Sequence, residues 1–408
     1  MRVRKIKTIA PFLVILIVMV VTSGCTGQTG GGTGTGDEKP PRTVVDSRGV
    51  AVRVPQEIGR VVTIDDGFSL EVMTVIGEAD KLVGVGSRTY EEIDTYTYES
   101  VYGGNHTYTN GMNTMAYLHP RTRTLPVIAE FEGGVNYEAL AGLKPDVVTV
   151  RLGSCTFWVN DENVKKSVER MESLGIPVIV LYGTDFYEQP NLSTMYDEIR
   201  IIGDLFGKEQ EADRLVTLLI GEIGTIESRT ENISETEKPS VLYLGLASVA
   251  RDEGGAGNTV SLTSYESWTL ENIINARNAF RQEAGYWHVV SAEQILAMDP
   301  DVIILPTDWG YHPVEEIYEA PYYQNFRELK AVRNHRVASL PFTPYDCAKR
   351  LEYPVELMVI AKAAYPERFS DIDLNEWLLT FYQNLYGVNR QTAEGLREIQ
   401  WMDWVAET

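Results

Sequence analysis

The sequence of 408 residues is poor in cysteine and in positive charge. Three cysteines are too few for a disulfide-built scaffold or for a multi-cysteine zinc or iron–sulfur module. Lysine and arginine together number 36, against 58 aspartates and glutamates, and the net charge is −22. A chain this acidic is repelled by nucleic acid, so we expect no nucleic-acid partner. Hydrophobic residues make up 44% of the chain, which is ordinary for a folded globular protein.

Signatures of common enzyme classes are also missing. The sequence contains no Gly-x-Ser-x-Gly elbow, no Walker loop and no His-Glu-x-x-His helix. Its five histidines include no close pair at the spacing of metal ligands. We therefore predict a protein that is not an enzyme and that has no resident metal or cofactor. A tethered hydrolase that uses Cys155 or an acid such as Asp65 is the enzymatic alternative.

The one long apolar run lies near the N-terminus. Met1–Lys7 is basic, Ile9–Val21 is apolar, and three small residues then precede Cys25. This order is typical of an export signal, and its end at a cysteine resembles a prokaryotic lipobox. We expect residues 1–24 to be a signal peptide, Cys25 to be lipidated, and residues 25–42 to form a flexible Gly/Thr-rich linker. An uncleaved signal anchor is the alternative, and both readings predict an extracytoplasmic, membrane-tethered protein.

Strand-like and helix-like stretches alternate along the rest of the chain. A hairpin is predicted around Asp46–Gly49. The predicted strands are Arg60–Ile64, Lys81–Val85, Asp146–Val150, Pro177–Leu181, Val241–Leu244, Val302–Leu305 and Arg336–Ser339. The predicted helices include Tyr137–Leu143, Val164–Leu174, Ile295–Met298, Leu351–Ala364 and Leu374–Tyr386. This alternation predicts an α/β fold with parallel sheets, and we expect the polar, Tyr-rich stretch Tyr90–Arg123 to be a surface excursion.

A helical stretch separates two such βα series. Residues 191–238 carry a helical pattern, which we expect to break at Gly203 and at Gly207. One face of the second helix is apolar, and its residues are Ala212, Leu215, Val216, Leu219, Ile223 and Ile226. The chain then divides into an N-terminal lobe at 43–190, connecting helices at 191–238, and a C-terminal lobe with a helical tail at 239–408.

An internal repeat supports two similar lobes. The segment Asn136–Val150 aligns without gaps on Ser291–Leu305, at an offset of 155 residues. The identical pairs include Glu138/Glu293, Pro145/Pro300, Asp146/Asp301 and Val147/Val302. The repeat and the flanking βα series together predict two lobes of the same construction.

Several stretches, in this order and spacing, resemble the helical-backbone class of extracytoplasmic solute-binding proteins. They are Val44–Pro55, Gly59–Ile64, Leu82–Gly86, the two Pro-Asp-Val segments, Leu174–Leu181, Leu205–Ala212, Val332–Leu340 and Ala364–Phe369. That class serves importers of ferric siderophores, haem and cobalamin. The resemblance implies two Rossmann-like lobes joined by a long helix, a ligand cleft that flexes little, and a monomer. It also implies an ABC permease dimer with its ATPase subunits as partners.

Glu138 and Glu293 occupy equivalent places in the repeat, in the first turn of each lobe's helix. The resemblance implies that such acids engage arginine pockets on the two permease subunits, and charge-assisted contacts suit this docking. The simpler alternative is that each acid only stabilises the start of its own helix, a contribution of about a few tenths of a kcal/mol.

The loops at the carboxyl ends of the strands are expected to line the cleft. They supply Asp65, Asp66, Phe68, Arg88, Tyr90, Arg151, Trp158, Arg251, Trp287, Trp309, Tyr311 and Arg350. Arginine forks bind carboxylates, phosphates or phenolates, and aromatic faces cover flat organic ligands. This mixture favours a metal chelate, such as a ferric siderophore, haem or a corrinoid, over a bare ion. The alternatives are a bare metal-ion carrier of similar fold and a tethered surface sensor without a transport role.

Overall fold

The computed structural model describes residues 40–65, 67–130, 134–153, 161–184, 186–187, 190–283, 285, 287–307, 311–344 and 350–407. The predicted signal peptide, Cys25 and most of the linker lie outside these residues. Within them, no helix combines the length and the apolar composition that a membrane crossing needs.

The strands and helices of the described residues follow the predicted alternation. The strands are β1 (Arg42–Val45), β2 (Ala51–Val54), β3 (Val61–Ile64), β4 (Leu82–Val85), β5 (Asp94–Glu99), β6 (Asn105–Gly111), β7 (Ala129–Glu130), β8 (Gly134–Val135), β9 (Val147–Leu152), β10 (Val178–Tyr182), β11 (Ser240–Tyr243), β12 (Gly257–Val260), β13 (Arg277–Asn278), β14 (Trp287–Val290), β15 (Val302–Leu305) and β16 (Val337–Ser339). The helices are α1 (Phe68–Val75), α2 (Thr114–Leu118), α3 (Tyr137–Leu143), α4 (Asp161–Ser173), α5 (Ser193–Phe206), α6 (Glu209–Thr230), α7 (Ser248–Asp252), α8 (Tyr265–Asn272), α9 (Ala292–Met298), α10 (Val314–Glu319), α11 (Lys330–Arg333), α12 (Tyr353–Ala364), α13 (Leu374–Tyr386) and α14 (Arg390–Ile399).

Two parallel four-stranded sheets form the centres of the two lobes. The strand order is β10-β9-β3-β4 in the first and β13-β11-β15-β16 in the second. In each sheet, the first strand along the chain lies between the second and the third. The two sheets therefore have the same topology, and the predicted α/β fold with two Rossmann-like lobes is confirmed.

The sequence repeat has a physical cause in both lobes. Asp146 Oδ2 accepts hydrogen bonds from the backbone N–H groups of Gly59 and Arg60, at 2.7 and 2.8 Å. Asp301 Oδ2 accepts equivalent bonds from the N–H and the hydroxyl of Ser240, both at 2.9 Å. Each repeated aspartate thus ties the start of the third strand of its sheet to the start of the first.

The connecting segment consists of α5 and the 22-residue α6. The six apolar residues predicted for one face of α6 are all buried. Gly207 ends α5 in the left-handed conformation, with φ 66°, so the predicted break at this glycine is confirmed. The break predicted at Gly203 is wrong, because Gly203 lies inside α5. A Cβ on Gly203 would lie 2.4 Å from the Cβ of Ala212, so this glycine lets the two helices approach closely.

The expectation for Tyr90–Arg123 is corrected by the structure. This stretch forms the antiparallel hairpin β5–β6 and the helix α2 rather than a plain surface excursion. Tyr98 of β5 is only 3% exposed and packs into the apolar core of the second lobe. Alternation explains the strand, because Tyr96 and Tyr98 face inward while Thr95, Thr97 and Glu99 face solvent.

The C-terminal tail returns to the first lobe. The helix α13 packs against α1, and α14 packs against α2 and β6. Together with α6 and α12, α13 contributes to one apolar core shared between the lobes. The tail therefore contacts the first lobe, although it follows the second lobe along the chain.

Candidate functional site

The turn after β3 lies where the two lobes meet. Asp65 is buried, and its Oδ1 accepts hydrogen bonds from the N–H groups of Gly67 at 2.9 Å and Ser69 at 3.4 Å. Gly67 has φ 136°, a conformation that favours glycine. A Cβ at this position would lie 3.6 Å from Cδ of Arg350, which belongs to the segment between β16 and α12. The structure thus brings Asp65 and Arg350, both predicted site residues, to the same turn.

Hydrogen bonds join the lobes at this turn. Glu71 of α1 accepts a hydrogen bond on Oε2 from the N–H of Leu351, at 2.8 Å. The hydroxyl of Thr89 donates to the carbonyl of Pro344, at 3.2 Å. Arg350 is 5% exposed and donates to the hydroxyl of Thr343. The segment after β16 is therefore fastened to the first lobe by polar contacts rather than by apolar packing alone.

Glu71 carries a perturbed carboxyl group. Burial raises its pKa well above the ordinary value, and the negative charge of Glu352 raises it further, while Arg350 acts in the opposite direction. Its Oε1 is buried and accepts no hydrogen bond in the described part of the chain. Oδ2 of Asp65 is buried and unpartnered in the same way, within the described ranges. A neutral, protonated Glu71 fits these surroundings best.

Arg151, at the carboxyl end of β9, is held by a buried ion pair. Its Nε and Nη2 donate to the two carboxylate oxygens of Glu198 on α5, at 2.8 and 2.9 Å. The guanidinium group also lies 3.9 Å from the centre of the Phe68 ring. The exposed fractions of the Arg151 and Glu198 side chains are 3% and 0%. The structure thus brings Arg151 and Phe68 together, in a contact that locks α5 onto the first sheet.

Two predicted residues of the second lobe, Arg251 and Trp287, contact other residues of that lobe. Nη1 of Arg251 donates to the carbonyl of Leu246 and to the hydroxyl of Tyr323, and its guanidinium lies 4.2 Å from the centre of the Tyr322 ring. Trp287 of β14 reaches the carboxyl end of β11, because its ring lies 4.0 Å from the position of a Cβ on Gly245.

Two of the predicted tyrosines are core residues. The hydroxyl of Tyr311 donates to the carbonyl of Trp401 at 2.8 Å, and its ring packs in an aromatic cluster with Phe342 and Trp401. Tyr90 is fully buried in the shared core. Arg88, in contrast, is exposed and lies 3.0 Å from a carboxylate oxygen of Glu91.

Six of the nine predicted site residues that the structure describes fall into two groups. Asp65, Phe68, Arg151 and Arg350 gather near the turn after β3, whereas Arg251 and Tyr311 belong to a network in the second lobe. Four further residues named from the sequence lie outside the described part of the chain, namely Asp66, Cys155, Trp158 and Trp309. Sequence reasoning missed Glu71 and Glu198, although each is an acid inside an otherwise apolar helical pattern, which is a signal of a buried partner.

The two repeated glutamates are exposed in equivalent places. Glu138 follows the N-cap Asn136 of α3, and Glu293 follows the N-cap Ser291 of α9. Hydrogen bonds from its own N–H and from the Ser291 hydroxyl hold the pKa of the Glu293 carboxyl below its ordinary value. Both side chains are available to solvent, as a docking contact requires.

Comparisons with known proteins agree with this architecture. A Bacillus subtilis protein named as an uncharacterized ABC transporter substrate-binding lipoprotein is 23% identical, over 88% of this chain and 97% of that protein. The molybdate-binding protein MolA of Haemophilus influenzae is 23% identical, over 85% of this chain and 91% of that protein. A vitamin B12-binding protein of Photorhabdus laumondii is 22% identical, over 46% of this chain and 58% of that protein.

Solved structures share the fold. A periplasmic solute-binding protein from Veillonella parvula aligns with a TM-score of 0.67 and 24% identity, over 90% of this chain and 98% of that one. MolA with molybdate bound aligns with a TM-score of 0.63 and 20% identity, over 85% and 98%. These neighbours and the matching family are solute-binding proteins, which confirms the prediction of a non-enzymatic protein. The family model described as periplasmic binding protein matches residues 62–344, and the chain belongs to this extracytoplasmic family.

Proposed function

We propose that this protein is the solute receptor of an ABC importer and that it captures a metal chelate of the ferric-siderophore, haem or cobalamin type between its lobes. The observation that carries the proposal is the meeting of Arg350 with the Asp65–Gly67 turn, where the carboxyl-end loops of both sheets come together. Ligands of open α/β sheets bind at such ends. The names of the Bacillus and Photorhabdus relatives support a transport role and a chelate-type ligand.

A second candidate ligand is a molybdate-like oxyanion. The similarity to MolA over most of both chains favours it, and an arginine beside a polar turn suits an oxyanion as well as a chelate carboxylate. The two candidates differ in size and in aromatic character. Trp287, which is partly exposed near the carboxyl end of β11, favours the larger chelate.

The test is a thermal-shift panel on residues 37–408. It contains ferric catecholate and hydroxamate chelates, haem, cyanocobalamin, molybdate and bare divalent metals. A ligand that binds only the folded state adds about 2.7 kcal/mol at a hundredfold excess over its Kd. We expect a shift with one chelate class only, and its loss in Arg350→Gln but not in the surface control Arg281→Gln. A shift with molybdate alone would select the second candidate, and one with a bare metal alone would replace both.

The proposal includes docking through Glu138 and Glu293. The exposure of both carboxylates and their equivalent positions in the two lobes support contacts with two permease subunits. We expect the double change to glutamine to abolish uptake while ligand binding is retained. The control is Glu231→Gln, an exposed acid at the end of α6. Unchanged uptake in the double variant would refute this docking, and a wild-type strain without uptake of any panel solute would favour the sensor.

Membrane tethering through a lipid on Cys25 is also part of the proposal. Metabolic labelling with a fatty-acid analogue should mark the wild type but not Cys25→Ser, and the variant should appear in the soluble fraction if processing continues. An unlabelled wild type that stays in the membrane fraction would instead support the signal anchor.

A further inference from the structure

The β5–β6 hairpin leaves the first lobe and seats on the second. It follows β4, the edge strand of the first sheet, and leads into α2, which packs with α14. Between these points, Tyr98 inserts into the apolar core of the second lobe, and Tyr96 and Tyr108 pack against the same core. The hairpin is therefore covalently part of one lobe and packed into the other.

Hydrogen bonds to one helix fix the hairpin on the second lobe. The hydroxyl of Tyr96 donates to Glu316 at 2.5 Å, and the hydroxyl of Ser100 donates to Glu319 at 2.9 Å. The hydroxyl of Tyr108 lies 3.4 Å from its acceptor on Glu315. All three acids belong to α10, and Glu319 also accepts the backbone N–H of the residue after Ser100 through its carbonyl, at 2.9 Å. Bonds to carboxylates are stronger than neutral ones, so this face is a specific seat rather than a loose contact.

A second anchor holds the base of the hairpin. The indole N–H of Trp401 donates to the carbonyl of Thr109, at 2.8 Å. A Cβ on Gly111 would lie 2.4 Å from the Trp401 ring and 2.7 Å from the Phe342 ring, so only glycine permits this approach. Phe342 follows the last strand of the second sheet, and its N–H donates to the carbonyl of Gln400. The hairpin base, the tail and the second lobe are thus packed as one unit.

We infer that the β5–β6 hairpin is an inter-lobe strap that limits movement of the two lobes apart. The strap adds a tether that is independent of the connecting helices. The strap also lies close to the contacts of two predicted ligand residues, Tyr311 and Arg251. Tyr311 lies 5.1 Å from Tyr108 between ring centres, and Arg251 stacks on Tyr322, whose hydroxyl donates to Glu316.

Hydrogen exchange on residues 37–408 tests the strap without any ligand. The variant Tyr96→Phe with Ser100→Ala removes two donors and keeps every ring. We expect its hairpin amides to exchange about tenfold faster, the factor that corresponds to loss of bonds to carboxylates in a local opening equilibrium. The amides of β3 and β9 should not change. The matched control is Thr95→Ala, a solvent-facing residue of the same strand.

The Leu351 amide decides whether the hairpin is a strap or merely a cover, because its hydrogen bond to Glu71 joins the two lobes. We expect faster exchange of this amide in the release variant and no change in the control. Faster exchange of the hairpin amides alone would overturn the inference, and so would unchanged exchange of the hairpin amides. If the double variant does not fold, Tyr98→Ala provides a second release variant. Glu316→Gln keeps a neutral acceptor for Tyr96 and should lose less protection than the double variant.

Discussion

Breaking the buried pair of Arg151 and Glu198 by removing one partner should strongly destabilise the first lobe. Both side chains are removed from solvent, and the guanidinium makes two hydrogen bonds of 2.8 and 2.9 Å to the carboxylate. Replacing Glu198 by leucine leaves a buried arginine without its counter-ion. Such a loss costs about 3–5 kcal/mol, because the remaining charge has given up its hydration.

Replacing both partners should behave differently. In Arg151→Met with Glu198→Leu, no charge remains to be desolvated, and apolar replacements of buried pairs range from neutral to about 1–4 kcal/mol stabilising. We therefore expect the double variant to recover most of the stability lost in the single variant. Together with the second single variant, Arg151→Met, the two variants complete a double-mutant cycle that measures the coupling energy of the pair.

Urea unfolding of the single and double variants checks this expectation. Arg390 and Glu376 provide a matched control, because they form a similar two-point pair at 2.6 and 2.8 Å while both are about half exposed. Glu376→Leu should cost far less than Glu198→Leu, because water screens an exposed ion pair. A cost for Glu198→Leu as small as that of the control would refute the reasoning. The same double variant, tested with the solute from the panel, separates a ligand contact at Arg151 from a structural role.

Two further predictions concern α1 and α5. Because burial raises the pKa of Glu71, folding takes up a proton above the ordinary pKa, and stability falls as pH rises towards the folded-state pKa. Glu71→Gln should remove this fall in urea unfolding above the ordinary glutamate pKa, where the uptake of one proton limits the slope to about 1.4 kcal/mol per pH unit. Parallel pH profiles of the wild type and the variant would contradict this. Gly203→Ala should lower the free energy of unfolding by about 1–3 kcal/mol, because its Cβ clashes with Ala212. In the same assay, Gly221→Ala on the open face of α6 should be neutral or stabilising. Equal effects of the two substitutions would contradict the close approach of α5 and α6.

The fold could be predicted largely because its main signals are local. The strand Val302–Leu305 and the helices Tyr137–Leu143 and Leu374–Tyr386 have the bounds that hydrophobic pattern and turn residues indicate. The repeat around Asp146 and Asp301 was visible because each aspartate performs the same backbone contact in its own lobe. Such contacts depend on a short stretch of sequence and one neighbouring strand.

The β5–β6 strap was missed because its partners are distant in sequence. Its tyrosines alternate with threonines, a pattern that indicates a strand but does not say which surface covers it. The acids that seat Tyr96 and Ser100 lie more than 200 residues further along the chain. Polar composition alone therefore predicted a surface excursion, although the inward tyrosines are part of a core.

In the candidate site too, the sequence indicates where a residue lies but not which group it contacts. The rule of carboxyl strand ends selects Asp65, Arg151 and Arg350, which lie near one turn in the structure, but it contains no information on what each group already binds. Arg151 has a buried counter-ion on α5, whereas Arg350 belongs to the segment that fastens the second lobe to α1. A solute that contacts Arg350 would therefore act at the junction of the lobes, and its effect on hydrogen exchange should extend to Leu351. A solute that contacts only Arg151 would leave that amide unchanged, which makes the Leu351 amide a direct reporter of where binding occurs.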